Sequence, residues 1–133
     1  MDYFRAAFGG FDPQNDKDAA LKLSLDALFA DARLDDLGAI LSPEGRVGGI
    51  EGEPGWILER RLDSDNASYE GWPSAATFRA SVDPETYSLG HPEFFCDALT
   101  FRKYTSAILK VFAERYPEDS ARTFSLRNLL EDL

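Results

Sequence analysis

The apolar residues of this chain change their spacing twice, and no other feature limits the available folds so sharply. Leu21, Leu25, Leu28 and Phe29 recur at helical intervals. Further along, the spacing becomes two. In Trp56 to Leu62 (WILERRL), Trp56, Leu58 and Leu62 share one side while Ile57, Glu59 and Arg61 take the other. In Thr77 to Val82 (TFRASV), Phe78, Ala80 and Val82 share a face. Helical spacing then returns through Phe94, Ala98, Phe101, Tyr104, Ile108, Val111 and Phe112 to Tyr116. Short connections between strand-like segments favour an antiparallel meander over crossover units. The expected fold is therefore α+β: an antiparallel meander sheet in the middle of the chain, packed against N-terminal and C-terminal helices. No repeat, low-complexity tract or Pro/Ser-rich linker divides the 133 residues, so one domain over 1–133 is expected.

Turn and cap residues set the expected boundaries. After Asp12-Pro13, Asn15 or Asp16 is placed to cap the first helix, with Asp18 in its first turn. Ala39-Ile40-Leu41, the turn Ser42-Pro43-Glu44-Gly45 and Arg46 to Ile50 read as a hairpin. Gly48-Gly49 within it suggests a bulge or a close backbone approach. Asp63-Ser64-Asp65-Asn66 reads as a turn and Ala67 to Trp72 as a returning strand, and Asp83-Pro84-Glu85 turns the chain towards Thr86-Tyr87-Ser88. His91-Pro92-Glu93 reads as the start of the long helix, which Pro117 stops. Ser125 is placed to cap a terminal helix bearing Leu126, Leu129, Leu130 and Leu133.

Charge and rare residues exclude whole classes of function. With 24 acidic and 14 basic residues the net charge is −10, which opposes direct nucleic-acid binding through phosphates and opposes anionic membranes, and favours a basic macromolecular partner. One Cys and one His rule out disulfide frameworks, Cys-rich zinc sites and iron–sulfur clusters. Met1 to Pro13 has neither a basic leader nor a long apolar run, and no stretch is apolar enough to span a bilayer. A lone Cys96 fits a reducing compartment, so a cytoplasmic protein is expected.

No catalytic, cofactor or metal site is expected. His91 and Cys96 are five residues apart and would occupy different faces of one helix start, which reads as a helix-entry residue and a small core hydrophobe. A calcium loop at Asp63 fails because Ala67 occupies a ligand position and Ser68 stands where the glycine is needed. The glycines form neither GxGxxG nor a P-loop. With 24 acids, some carboxylate pair is always close, so pairing alone carries no weight for glycoside chemistry.

What remains is surface texture. Acids gather in the connections, with aromatics among them: Trp56 follows Glu51 and Glu53, and Tyr69 and Trp72 flank Glu70, downstream of Asp63 and Asp65. A solvated acidic surface explains any one cluster, and core packing is the plain alternative for Tyr69 and Trp72. Taken together they form an expected partner-binding set: Glu51, Glu53, Asp63, Asp65 and Glu70 for charge, and Trp56, Tyr69 and Trp72 as anchors.

The stretch His91 to Glu118 (HPEFFCDALTFRKYTSAILKVFAERYPE), following the strand-rich middle, resembles the small acidic immunity proteins of bacterial contact-dependent growth inhibition and related polymorphic toxin systems. The likeness extends to size, charge and layout and includes no diagnostic motif. It implies a cytoplasmic protein that binds and blocks a cognate toxin domain, often a basic RNase, tRNase or DNase. The alternative is an acidic DNA mimic or anti-restriction inhibitor of a DNA-binding enzyme. A small hydrolase using His91 or a carboxylate pair is a third reading.

Overall fold

The computed structural model describes residues 3–43, 47–62 and 69–133. A short helix α1 (Phe4–Phe8) leads to α2 (Ala19–Ala30) and α3 (Leu34–Leu41). Strands β1 (Gly49–Gly52), β2 (Trp56–Arg60) and β3 (Phe78–Val82) follow. One helical turn α4 (Pro84–Tyr87), strand β4 (Glu93–Cys96) and helices α5 (Ala98–Arg115) and α6 (Ser120–Glu131) complete the order. The strands form one antiparallel sheet in the order β1-β2-β3-β4, so the fold is α+β, with a mid-chain meander between helical ends.

The alternation in the strands has its expected consequence. Trp56, Leu58, Phe78, Ala80, Val82 and Cys96 are buried against the helices. Helix α2 lies across that face and is also covered by α1 and α5, so Ala19, Ala20, Leu21, Leu23, Ser24, Leu25, Leu28 and Phe29 are all buried. That is more than a stripe, because a helix enclosed on several sides must be apolar around most of its girth. Helix α5 joins the same core: Phe101 stacks on Phe78 with ring centroids 3.8 Å apart and planes nearly parallel.

Several expected boundaries are corrected. Ala39-Ile40-Leu41 is the last turn of α3, not a strand, because Leu34, Leu37, Ile40 and Leu41 are buried at helical spacing. Its end is fixed from a distance: the Arg60 guanidinium donates to the carbonyls of Ile40 and Leu41, each at 3.0 Å. A cation there satisfies orphan carbonyls at the negative end of the helix. Register runs unbroken through Gly49 opposite Glu59, so no bulge interrupts the β1–β2 pairing. Asp63 to Ser68 and Glu44 to Arg46 lie outside the described residues, while Tyr69 to Trp72 form a turn rather than a strand, with the Trp72 N–H donating to Tyr69 O at 3.0 Å. The neighbour of β2 is β3, reached after a long connection. Thr86 and Tyr87 belong to α4, whose N-cap Asp83 accepts from the Glu85 N–H.

His91-Pro92-Glu93 leads into β4, and the long helix starts later, where Asp97 accepts the Thr100 N–H at 2.8 Å. Gly90 donates its N–H to Pro13 O at 2.9 Å, and a side chain there would overlap the Gln14 carbonyl, so only glycine fits. The cap of α2 moves too. Asp12 and Asp16 bond the backbone of their own loop, while Asp18 precedes α2 and accepts from Tyr104 Oη at 2.5 Å. Helix α6 begins at Ser120, which leaves Ser125 inside it, donating back to Ala121 O at 3.1 Å. Among the described residues no helix is long and apolar enough to cross a membrane.

Candidate protein-binding face

The helices pack on one face of the sheet, and on the opposite face the described side chains stay exposed or half-buried. Strand register therefore dictates which side chains meet on it. One row across the strands is Glu51, Ile57, Ser81 and Glu93. The next is Gly49, Glu59, Arg79 and Phe95. Ile57, opposite Glu51, is 37% exposed, an apolar side chain held out to solvent by the pleat.

At one end of this face lies a cleft of about 580 Å³, walled by Glu51, Glu53, Ile57, Ser81 and Asp83. Glu51 and Glu53 are exposed and neither forms an ion pair with a described residue. Asp83 is exposed too; its carboxylate accepts from the Glu85 N–H and the Thr86 hydroxyl, both at 3.0 Å, and meets no cation among the described residues. Three carboxylates thus line the cleft beside an apolar side chain, none of them in an ion pair with a described residue. The wall is stiff. Arg33 donates from Nη1 to Glu51 O at 2.7 Å and from Nε to Asp36 at 2.8 Å, and lies 5.1 Å from the Trp56 ring centroid.

The opposite corner has a different character. The Trp72 ring meets Tyr69 and Phe95 edge-on, with centroids at 5.0 and 5.3 Å. Arg61 lies over Tyr69 and Arg79 over Phe95. Tyr69 is fixed by accepting the Leu62 N–H at 2.8 Å. Between the two corners Arg79 bridges Glu59 and Glu93. Partial burial alone would lower the guanidinium pKa, but the hydrogen bonds and charges of Glu93 and Glu59 outweigh it and raise it. Arg79 sets one positive charge against the two negative charges of Glu59 and Glu93, so it offsets part of the acidity in the middle of the face.

The expected partner-binding residues divide accordingly. Glu51 and Glu53 come together at the cleft. Tyr69, Glu70 and Trp72 share one turn at the other corner, with Glu70 exposed and the two aromatics half-buried. Three strand spacings of about 4.8 Å separate β1 from β4, roughly 14 Å in all. Trp56 is a correction: its side chain is fully buried and offers nothing to a partner, because its position in the alternation turns it towards α2. Asp63 and Asp65 lie outside the described residues. Ile57, Asp83, Phe95 and Arg79 were missed. The period-two pattern marked Ile57 as outward, but only the register of four strands brings the others beside it.

The remaining reactive groups are placed apart from this face's cleft. Burial, then the charge of Asp97, pushes the Cys96 thiol up to about 12, so it is protonated at neutral pH. His91 is exposed in the connection to β4. Among the described residues no group of three or more His, Cys, Asp or Glu is arranged to hold a metal ion. Comparisons with protein-family models, with curated proteins and with solved structures found no match.

Proposed function

We propose that this protein is a cytoplasmic immunity protein that docks its open sheet face on a basic toxin domain, of the nuclease type, and blocks it. The observation that carries this reading is the cleft, where Glu51, Glu53 and Asp83 surround exposed Ile57 with no cation among the described residues to neutralise them. A nuclease groove presents Lys and Arg to phosphates, and rigid carboxylates compete for the same donors. Complementary charge also accelerates encounter. The Tyr69–Trp72–Phe95 corner adds aromatic surface of the kind that supplies desolvated anchors. A DNA mimic is less well supported, since the Arg79 bridge interrupts the run of carboxylates that phosphate mimicry requires.

The test is co-purification with the toxin domain encoded beside this gene, followed by association kinetics. Glu51→Lys/Glu53→Lys should slow association at least tenfold at about 0.05 M salt, with a smaller difference at 0.5 M, where charge is screened. A variant that is folded and associates as fast as the parent at both salts would refute docking through the cleft. Failure of the two proteins to co-purify would refute the immunity reading itself.

A further inference from the structure

We infer that the groove between α5 and α6, on the helical side of the molecule, is a binding site for a compact phosphate-bearing anion. This site is separate from the sheet face and does not depend on its function. The groove has a volume of about 330 Å³. Arg102, Ser106 and Lys110 line it from α5 at successive four-residue steps, and Arg127 and Glu131 face them from α6. Two turns of helix place Arg102 and Lys110 about 12 Å apart along the axis, with the Ser106 hydroxyl between them.

Three cations in one groove stand out in a chain of net charge −10. Acids are abundant enough to pair every one of them, yet none of the three forms an ion pair with a described residue. Even Glu131, which lines the groove, is beyond ion-pair distance of them. Clustered like charges repel, and Glu131, alone among the lining residues, does not balance three cations. An external anion would.

The chemistry of the lining selects its class. Two guanidinium forks match phosphate oxygens in pairs, an ammonium adds a point charge, and a serine hydroxyl donates or accepts. Acidic peptides fit less well. Single carboxylate contacts in such an open setting are weak. The net charge of −10 opposes a long polyanion, whereas a compact one meets the local positive potential of this groove. A phosphate concentrates nearly two charges and three acceptor oxygens in the space of one contact.

The probe is inorganic tripolyphosphate, titrated at low salt by calorimetry and by amide chemical shifts in the full chain. Saturable one-site binding is expected, with shifts concentrated over Arg102 to Lys110 and Arg127 to Glu131. Arg102→Gln/Arg127→Gln should weaken it at least tenfold, while Arg5→Gln, an exposed cation on α1, should leave it unchanged. If the double variant does not fold by circular dichroism, Lys110→Gln alone should still weaken binding at least threefold. Vesicles of phosphatidylglycerol, presenting phosphate on a lipid surface, are expected not to retain the protein. Absence of saturation, shifts spread over all exposed cations, equal affinity in the folded variants, or retention by vesicles without tripolyphosphate binding would each overturn the inference.

Discussion

Replacing Gly52 with alanine puts a methyl group where the structure has no room for one. Gly52 ends β1 beside the acidic cleft, paired with Trp56 across the hairpin. A Cβ built there lies 2.6 Å from Trp56 Cζ2, 2.7 Å from Cε2 and 2.5 Å from Arg33 Nη1. Ordinary carbon contacts need close to 4 Å, so something must move by about 1 Å. The indole cannot retreat, being fully buried between sheet and helices. Arg33 can, but only by weakening its bonds to Glu51 O and Asp36. Overpacking costs about 1–3 kcal/mol and a strained charge-assisted hydrogen bond about 1–2 more, so Gly52→Ala should destabilise the fold by roughly 2–5 kcal/mol. Urea unfolding followed by circular dichroism measures this, with an unchanged m-value marking an effect on the native state. Arg33→Ala provides the control. With the guanidinium gone, part of the clash is relieved, so the cost of Gly52→Ala should fall by at least about 1 kcal/mol in the double-mutant cycle. A Gly52→Ala protein within about 0.5 kcal/mol of the parent would refute the close packing of Trp56 under β1. Strict additivity would refute the part assigned to Arg33.

Two other outcomes are expected. Arg60→Met keeps the aliphatic stem but removes the donors to the Ile40 and Leu41 carbonyls, and should cost about 1.5–3 kcal/mol in urea unfolding, with faster amide exchange in α3; an unchanged midpoint would show that α3 does not need this cap. Stability should also fall at alkaline pH: burial, then Asp97, pushes Cys96 from 9.0 to about 12, and burial, then the Asp18 hydrogen bond, pushes Tyr104 from 10.0 to about 12. The unfolded chain releases these protons first, so the contribution of these two groups is constant below about pH 8 and is lost from about pH 9 to 12, and Cys96→Ala with Tyr104→Phe should flatten the decline; an equal slope in that variant would refute the assignment.

The open face and the groove use the same acidic chain in opposite ways. At the cleft, acids outnumber bases, and Glu51 and Glu53 form no ion pair with a described residue. Between α5 and α6, bases outnumber acids, and Arg102 and Lys110 form no ion pair with a described residue. A net charge of −10 describes neither site, because it averages over both.

Periodicity by itself determined the class of fold. Alternation in Trp56 to Leu62 and Thr77 to Val82 identified two strands and their buried sides, and helical spacing identified α2 and α5, because both patterns report which side chains must leave water. Short apolar runs carry no such period. Ala39-Ile40-Leu41 fits a strand as well as a helix until Arg60, about twenty residues later, caps it as α3. Glu93-Phe94-Phe95-Cys96 fits a helix start until β3 supplies the backbone partners that make it β4. The candidate site follows the same division. Glu51, Glu53, Tyr69 and Trp72 were legible as acids and aromatics in connections, but Trp56, identical in type to Trp72, is buried. Only the tertiary structure decides which carboxylates remain unpaired, since that depends on where Arg33 and Arg79 reach through space, and a one-dimensional pattern holds no such distances.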